Sequence, residues 1–264
     1  MPERIALERW GATGPTLLCL HGLGGSAGFF AELGPALSGR CRVVAFDFPG
    51  SGRSAMPPSL TFDALAAVAV EVAQDLNPPR YILGHSMGTI IGLEAIRQSP
   101  GIAAGFIAVG GLLQPRLDAC ERIAARIAMI EARGLSGLGD TVAAANVSAR
   151  TRADRPDVLA RVSAIVEGQP QDGYLATGRA LVAWTARRLP PLEGVRCLAV
   201  TGAEDRYAPP QDVRALAALL PGGRDAVIVS DCAHLPFLED PLAFSRIVDE
   251  FLPRLKPPGR RLTL

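Results

Sequence analysis

Short apolar runs alternate with segments of helical spacing along most of the chain, and this alternation limits the possible folds more than any other feature. Because parallel strands need crossover connections and those connections are usually helices, the pattern predicts an α/β fold with a mostly parallel central sheet flanked by helices. The predicted strands are Thr16–Leu20, Cys41–Phe46, Tyr81–Leu83, Phe106–Val109, Val195–Val200 and Ala226–Val229. The predicted helices between them are Phe62–Leu76, Met87–Gln98, Asp212–Leu220 and Leu242–Leu252.

The alternation stops between residues 112 and 191, where no strand pattern occurs. The helical patterns in this stretch are Leu117–Arg133, Asp157–Glu167 and Gly173–Arg188, with a glycine-rich interruption at residues 134–139. We expect residues 112–191 to form a helical lid inserted between two strands, over the sheet edge where open parallel sheets bind ligands. A plain packing layer is the alternative. Residues 1–111 and 192–255 are then two parts of one domain, and residues 256–264 are a disordered tail.

Charge and composition exclude several partners. The 27 Lys and Arg residues nearly balance the 26 Asp and Glu residues, so no long-range field attracts nucleic acid, and we expect a small-molecule substrate instead. No apolar run of membrane-spanning length and no signal peptide are evident, which predicts a cytoplasmic protein without a membrane span. Five cysteines without a CxxC pair predict reduced, mostly buried thiols. Three scattered histidines lack metal-ligand spacing, so we expect neither metal nor organic cofactor.

The segment Gly84-His85-Ser86-Met87-Gly88 carries the strongest local signal of chemistry. It follows a predicted strand and precedes a predicted helix, as a strained strand-to-helix turn with an exposed serine requires. The G-x-S-x-G pattern by itself is weak, because glycine and serine are common in any turn. Its position between strand and helix makes Ser86 our candidate nucleophile.

A serine nucleophile needs a base within hydrogen-bond reach. His85 is adjacent to Ser86 in the turn, where its side chain is expected to point away from the hydroxyl, and His21 lies in a loop with another task. His234 follows the last predicted strand, at the same sheet edge as Ser86. A structural loop histidine would be the ordinary interpretation of such a residue, but beside the serine turn it is the candidate base.

The third member of such a triad is a carboxylate that orients the histidine, and it follows another strand between serine and histidine in chain order. Asp205 and Glu204 both follow the predicted strand Val195–Val200. Either could instead be a turn residue or a helix cap. We favour Asp205 and keep Glu204 as the second choice.

Backbone N–H groups must also stabilise the oxyanion of an acyl-transfer reaction. Met87, the residue after the nucleophile, is one candidate donor, and Leu23 in the glycine-rich loop at residues 21–26 is the other. A phosphate-binding loop is the alternative for such a segment. It lacks the G-x-x-x-x-G-K-[ST] pattern and has no lysine nearby.

Five motifs occur in one order over almost the whole chain: HGLGGS, DFPGSGRS (Asp47–Ser54), GHSMG, GAEDRYAPP and CAHLPFLEDP. The chain resembles the α/β-hydrolase superfamily, and its C-terminal half is most similar to the esterase and enol-lactonase branch. The resemblance implies a cofactor-free serine hydrolase, with Asp205 as the acid and Leu23 and Met87 as the oxyanion hole. It also implies that Asp47–Ser54 borders the pocket without a chemical role. A serine at the turn disfavours the epoxide-hydrolase and haloalkane-dehalogenase branches, which use a carboxylate nucleophile.

The function predicted from these residues is hydrolysis of a carboxylic ester, lactone or thioester of a small, largely apolar substrate through an acyl-Ser86 intermediate. Two alternatives stay open: a carbon–carbon bond hydrolase or lyase using the same triad, and a ligand-binding protein with low turnover. Arg179 is a candidate contact for a substrate carboxylate, although a solvated arginine is the simpler interpretation. The candidate pocket residues are Phe29, Phe30, Leu112, Trp184 and Leu235.

Overall fold

A seven-stranded sheet forms the centre of the computed structural model, which describes residues 5–222 and 225–253. Within these ranges the strands are β1 Leu7–Trp10, β2 Thr16–Leu20, β3 Arg42–Phe46, β4 Arg80–His85, β5 Gly105–Val109, β6 Arg196–Gly202 and β7 Val227–Val229. Their spatial order is β1-β3-β2-β4-β5-β6-β7. Only β1 runs antiparallel to its neighbour, β3. The structure thus confirms the predicted α/β fold with a mostly parallel sheet.

Helices flank the sheet and precede or follow most strands. In the described ranges they are α1 Leu33–Leu37, α2 Phe62–Gln74, α3 Met87–Gln98, α4 Leu117–Arg133, α5 Leu138–Asn146, α6 Ala149–Asp154, α7 Pro156–Glu167, α8 Gln171–Val182, α9 Pro210–Leu219, α10 Pro236–Glu239 and α11 Pro241–Phe251, with a 3-10 helix at Ala27–Phe30. Helix α2 begins where the Thr61 side chain accepts a hydrogen bond from the Ala64 amide. No helix in these ranges has the length and apolar character needed to cross a membrane.

The central strands are buried on both faces, as their continuous apolar sequences require. All five residues of β2 and all five residues of β5 are buried. Hydrogen bonds continue beyond the strand ends, because the Ser86 amide donates to the Val109 carbonyl and the Gly110 amide donates to the Val200 carbonyl, each at 2.8 Å. The segments that follow β4, β5 and β6 therefore start side by side at one sheet edge.

Five helices, α4 to α8, form a helical block (Leu117–Val182) between β5 and β6. Helix α4 packs on α8, and α5 packs on α7. Helix α4 buries one stripe of residues with helical spacing: Ala119, Ile123, Ile127 and Ile130. Opposite this stripe Gly178 of α8 allows a close approach, since a Cβ there would lie 3.2 Å from Ile127 Cδ1. Apolar burial between amphipathic helices thus holds the block together.

One strand and two helices of the structure were not predicted from the sequence. Strand β1 is not predicted from the sequence, because only Leu7 and Trp10 of its four residues are apolar and it lies at the sheet edge. Helices α5 and α6 are also missed, since the glycines at 134–139 indicate an interruption. The interruption is shorter than expected: Gly137 precedes α5 with φ 74°, and Gly139 is already helical.

Helix α8 ends at Val182, six residues before the predicted end at Arg188. Beyond it the chain runs without helix, and Arg187 forms ion pairs with Asp63 and Glu94 on α2 and α3. These contacts fasten the end of the helical block to the core. The predicted tail at residues 256–264 lies outside the described residues.

Candidate active site

Ser86 occupies the turn between β4 and α3 in a conformation that few residues with a side chain adopt. Its φ is 53° and its ψ is −118°, a strained backbone of the kind that costs about 1–3 kcal/mol. The flanking glycines are sterically required, because a Cβ on Gly84 would lie 2.4 Å from the Gly88 carbonyl oxygen, and one on Gly88 would lie 2.3 Å from the Leu20 carbonyl oxygen. The half-buried Ser86 side chain makes no capping bond to α3, so its hydroxyl remains available.

Asp205 and His234 form a buried hydrogen-bonded pair at the ends of β6 and β7. His234 Nδ1 lies 2.8 Å from Asp205 Oδ2, and the two residues are only 5% and 3% exposed. The Thr201 hydroxyl also donates to Asp205 Oδ2, while the Tyr207 and Ala208 amides donate to Oδ1 at 2.8 and 2.9 Å. Because an ionised carboxylate can only accept, Nδ1 carries the proton and Nε2 of His234 is left as a proton acceptor.

Ser86 and His234 line the same cavity, together with Gly22 and Leu23. No hydrogen bond joins the Ser86 hydroxyl to the His234 ring, an arrangement that is common before a substrate is bound. Gly110 packs beneath the acid–base pair with φ 53°, and a Cβ there would lie 3.0 Å from both Asp205 Oδ2 and His234 Nδ1. The sequence analysis did not identify Gly110.

The other two histidines are neutral and bonded to the backbone. His85 Nε2 donates to the His234 carbonyl oxygen at 2.9 Å, and its Nδ1 is buried without a partner in the described structure. Burial, and next the neighbouring His234, hold the pKa of His85 well below its ordinary value of 6.5. His21 donates from Nδ1 to the Gly22 carbonyl and accepts the Phe48 amide at Nε2, and burial lowers its pKa. His234 alone of the three contacts a carboxylate.

The predicted oxyanion-hole donors lie on either side of Ser86. Met87 is the first residue of α3, so its amide is one of the N–H groups that a helix N-terminus leaves free. Leu23 follows Gly22, which approaches Ser86 so closely that a Cβ on Gly22 would lie 3.0 Å from the Ser86 Cβ. Neither the Leu23 nor the Met87 amide has a hydrogen-bond acceptor among the described residues.

Two further acidic residues singled out in the sequence have structural partners. Glu204, the second choice for the acid, accepts the Ala149 amide at 2.8 Å and so holds the start of α6. Asp47 accepts the Ala27 amide at 2.7 Å and the Arg53 amide at 2.8 Å, within the loop that follows β3. Asp205 is thus the acid that contacts His234.

Three of the five predicted pocket residues line the cavities at Ser86: Phe29, Leu112 and Leu235. The prediction is wrong for Phe30, which is fully buried and stacks on Phe237 with ring centroids 5.1 Å apart. It is also wrong for Trp184, which packs on Phe62 and donates from Nε1 to the Leu113 carbonyl, away from Ser86. Both aromatic residues strengthen packing around the site without reaching it.

The cavity has two lobes that meet at Ser86 and Tyr207. The apolar lobe is lined by Met87, Ile90, Leu112 and Ala119, and the arginine lobe is lined by Phe29, Arg126, Asn146 and His234. Each has a volume of about 50 Å³, far below the ~300–1,000 Å³ that is usual for sites of drug-sized ligands. A roomier cleft of about 320 Å³ beside α6 contains neither Ser86 nor His234.

Arg126 of α4 is the main site residue that the sequence analysis missed. It donates from Nη1 to the Tyr174 hydroxyl at 3.0 Å and from Nη2 to the Tyr207 hydroxyl at 3.2 Å. No carboxylate pairs with it among the described residues. The available signal was its position between Ile123 and Ile130, which puts a charged residue on the apolar stripe of an amphipathic helix.

Arg179, the predicted contact for a substrate carboxylate, is paired elsewhere. Its side chain is 57% exposed and forms an ion pair with Glu131 on the neighbouring helix α4. The cation that faces the cavity is therefore Arg126, and Arg179 is a surface residue.

Glu239 of α10 links the loop that carries His234 (the histidine loop) to the helical block by hydrogen bonds. One carboxylate oxygen accepts the Ala233 amide at 2.7 Å, and the other accepts the Ser148 amide at 2.7 Å and the Thr151 hydroxyl at 2.9 Å. Through these bonds the residue preceding His234 is fixed to the start of α6. No simple sequence pattern marks this role, because the partners are about 90 residues apart.

All five cysteines are free, and four are buried, as predicted. Burial raises the pKa of Cys41 and Cys197 to about 11, so these thiols remain protonated near neutral pH. Among the described residues, no group of three or more histidine, cysteine or acidic side chains could hold a metal ion.

Residues 17–247 match the model of the alpha/beta hydrolase family. A pimeloyl-[acyl-carrier protein] methyl ester esterase of Methylococcus capsulatus is 28% identical over 266 residues, covering 90% of this chain and 95% of that protein. A thermophilic esterase of Thermogutta terrifontis superposes with a TM-score of 0.81 at 21% identity, covering 94% and 92% of the two chains. The enol-lactonase of Burkholderia xenovorans LB400 gives a TM-score of 0.81 at 23% identity, covering 94% and 95%.

Proposed function

The chain belongs to the alpha/beta hydrolase family, and on that premise we propose that it is a serine hydrolase acting on a carboxylic ester, lactone or thioester of a small, largely apolar substrate. The observation that carries the proposal is the buried Asp205–His234 pair, 2.8 Å between Nδ1 and Oδ2, beside the strained Ser86 in one cavity. The names of the esterases and the enol-lactonase that the chain resembles support an ester bond as the target.

In the first half-reaction the Ser86 hydroxyl attacks the substrate carbonyl carbon while His234 Nε2 accepts its proton. Asp205 keeps the imidazole in the tautomer with Nδ1 protonated and stabilises the imidazolium that forms. The Leu23 and Met87 amides donate to the oxyanion of the tetrahedral intermediate, an interaction worth about 3 kcal/mol per donor in other hydrolases. The intermediate collapses when His234 returns the proton to the leaving alcohol, or thiol, and acyl-Ser86 remains.

In the second half-reaction, water attacks the acyl carbon with His234 again as the base. The proton passes to His234 and then to Ser86 as the acyl bond breaks, so the enzyme is restored without a cofactor. The neutral His85 beneath this loop donates to the His234 carbonyl and holds the backbone of the base without competing for the proton.

The size of the cavity indicates a short substrate or a movable cover. Each lobe holds about 50 Å³, which is room for only one or two waters. The helical block supplies Ile123 and Leu181 to both lobes. We infer that residues 112–191 act as the lid predicted from the sequence, and that lid side chains move apart when a substrate enters.

A small organic molecule is the proposed partner, because the cavity is narrow and lined mainly by apolar side chains. The cytoplasm is the proposed location, supported by five free cysteines, which are typical of a reducing compartment.

The test is hydrolysis of p-nitrophenyl acetate and butyrate by the wild-type protein and by Ser86→Ala. We expect turnover by the wild type and a loss of at least about a thousandfold in kcat for Ser86→Ala. A Ser86→Ala protein that keeps more than a tenth of the activity would overturn the assignment of the nucleophile. Tight binding of esters by a wild type that hydrolyses none would favour the ligand-binding alternative.

A further inference from the structure

Arg126 places a permanent positive charge inside an otherwise mainly apolar lobe, in the same cavity as Ser86 and His234. The guanidinium has two hydrogen-bond partners, the hydroxyls of Tyr174 and Tyr207. Burial opposes the charge, but the two tyrosines outweigh it and raise the pKa of Arg126 above its ordinary value. Arginine side chains in proteins stay protonated, so the residue is a cation.

The two tyrosines extend the cluster as donors. Because each hydroxyl oxygen accepts from Arg126, its own hydrogen points elsewhere, and neither hydroxyl donates to an acceptor in the described structure. The guanidinium has five N–H groups, and only those of Nη1 and Nη2 that reach the tyrosines are used. The cluster thus presents hydrogen-bond donors and a positive charge, and among the described residues no carboxylate pairs with it.

Arg126 is half-buried, and a charge partly removed from water without a counter-charge is costly unless a partner arrives. Other arginines of α4 and α8 already have an acidic partner: Arg122 pairs with Asp118, and Arg179 pairs with Glu131. Arg126 differs from both because it faces the cavity and has no acidic partner among the described residues. A ligand anion is the missing partner that its environment fits.

The position of Tyr207 relates this cluster to the proposed chemistry. Its hydroxyl accepts from Arg126, and its ring lies 4.9 Å from the His234 ring between centroids. The Tyr207 side chain thus lies between the Arg126 guanidinium and the His234 ring and contacts both. Phe29, Val142 and Val162 line the lobe around it, so a short apolar chain could link a group at Arg126 to a carbonyl at Ser86.

We propose that the substrate carries a carboxylate at the end remote from the scissile bond, and that Arg126 binds it together with the Tyr207 hydroxyl, while Tyr174 holds the guanidinium in place. A planar guanidinium matches a carboxylate in shape, and one positive charge balances one negative charge. This inference rests on the proposed function for the scissile bond, but the anion site itself can be tested without turnover.

The kinetic test compares two p-nitrophenyl esters of adipic acid, one with the far carboxylate free and one with it blocked as the methyl ester. For the wild type we expect kcat/KM to be about 10- to 100-fold higher for the free acid, as for charge-assisted hydrogen bonds. Arg126→Met should remove this preference, so that the ratio of kcat/KM between the free acid and the blocked ester falls to about one. Arg126→Lys should keep part of it, and Arg179→Met, the matched control, should keep all of it.

A uniform loss on both esters in Arg126→Met and Arg126→Lys would show that Arg126 only holds the lid, and would overturn the proposal. So would equal kcat/KM values for the two esters in the wild type.

Binding separates this proposal from the proposed function. Calorimetry with Ser86→Ala protein compares monomethyl adipate with dimethyl adipate, neither of which needs to react. Stronger binding of the monoacid, lost when Arg126→Met is added, supports the anion site even if the wild type hydrolyses no ester. Equal binding of the two compounds contradicts the anion site, whether or not Ser86-dependent ester hydrolysis is found.

Discussion

The sheet edge and the helical block supply the two halves of the cavity, and they hold their residues in different ways. At the sheet edge the backbone fixes each residue: Ser86 by a strained turn between glycines, Asp205 by two amides and a hydroxyl. In the helical block, Ile123 and Leu181 face the cavity because they lie on apolar helix faces. The sheet edge thus holds the residues of the proposed chemistry, and the helical block holds the side chains that we propose select the substrate.

Substitution of Asp205 tests the sheet edge most severely. Asp205→Asn should reduce kcat about a thousandfold to ten-thousandfold, because the amide no longer stabilises the imidazolium and favours the wrong tautomer. The neighbouring carboxylate provides the matched control: Glu204→Gln can still accept the Ala149 amide and should remain close to wild type. The measurement is the kcat for ester hydrolysis by each of the two variants. A larger loss in Glu204→Gln than in Asp205→Asn would reverse the assignment of the acid.

A glycine substitution in the loop after β3, compared with one at an open position, tests how tightly this loop is packed. A Cβ on Gly52, where φ is 52°, would lie 2.3 Å from Asp47 Oδ2, so we expect Gly52→Ala to lower the free energy of unfolding by about 2–4 kcal/mol. Gly101 also has a positive φ, 82°, but open space around it, so Gly101→Ala should cost only about 1–2 kcal/mol. Urea unfolding measures both. Equal losses would mean that strain alone, without the contact to Asp47, accounts for the effect.

Glu239 joins the two regions, so its substitution should affect both. Glu239→Gln places an amide N–H₂ against at least one of the donors Ala233 and Ser148, and we expect a loss of about 1–3 kcal/mol in the free energy of unfolding. We also expect a lower kcat with little change in KM, since the histidine loop loosens. Thr151→Val, which removes a single hydroxyl partner, is the milder control. If Thr151→Val matches Glu239→Gln in both stability and kcat, the carboxylate does not position the loop.

The pH dependence of stability reports the neutral His85 beneath the base. Its pKa is lowered well below 6.5 in the folded protein, so only the unfolded chain binds a proton here as the pH falls through 6.5. Stability is full above that pH and declines below it, by up to about 1.4 kcal/mol between pH 7.5 and 5.5 for this residue. His85→Gln does not titrate, so its urea midpoint should fall less over that range. Identical pH dependence in the two proteins would contradict a neutral buried His85.

Some features of these two regions could be predicted from the sequence, and others could not. The succession of strands and helices and the serine turn follow from local signals in the sequence. His234 was the candidate left after the other two histidines were compared, and no local signal distinguished Asp205 from Glu204. Strand β1 was not predicted, because an edge strand with only two apolar residues gives no clear hydrophobic pattern. Helix α8 was predicted too long because the contacts of Arg187 with Asp63 and Glu94 override helical propensity.

The side chains that line the cavity were harder to predict, because their positions depend on contacts between residues far apart in the sequence. Phe30 follows the glycine-rich loop and Trp184 lies in the predicted lid, yet each packs on another aromatic side chain instead. Arg179 and Arg126 both occur on helices of the block, and only the structure distinguishes the one paired with an acid from the one that faces the cavity. The sequence of the two helices does not show which arginine pairs with an acid and which faces the cavity.

Covalent labelling of Ser86 tests the central claim most directly. The protein is treated with a fluorophosphonate, its intact mass is measured, and the modified peptide is mapped. We predict a single adduct on the Ser86 hydroxyl of the wild type and none on Ser86→Ala. An adduct on another residue, or ester hydrolysis by a protein that forms no adduct, would contradict the acyl-Ser86 mechanism.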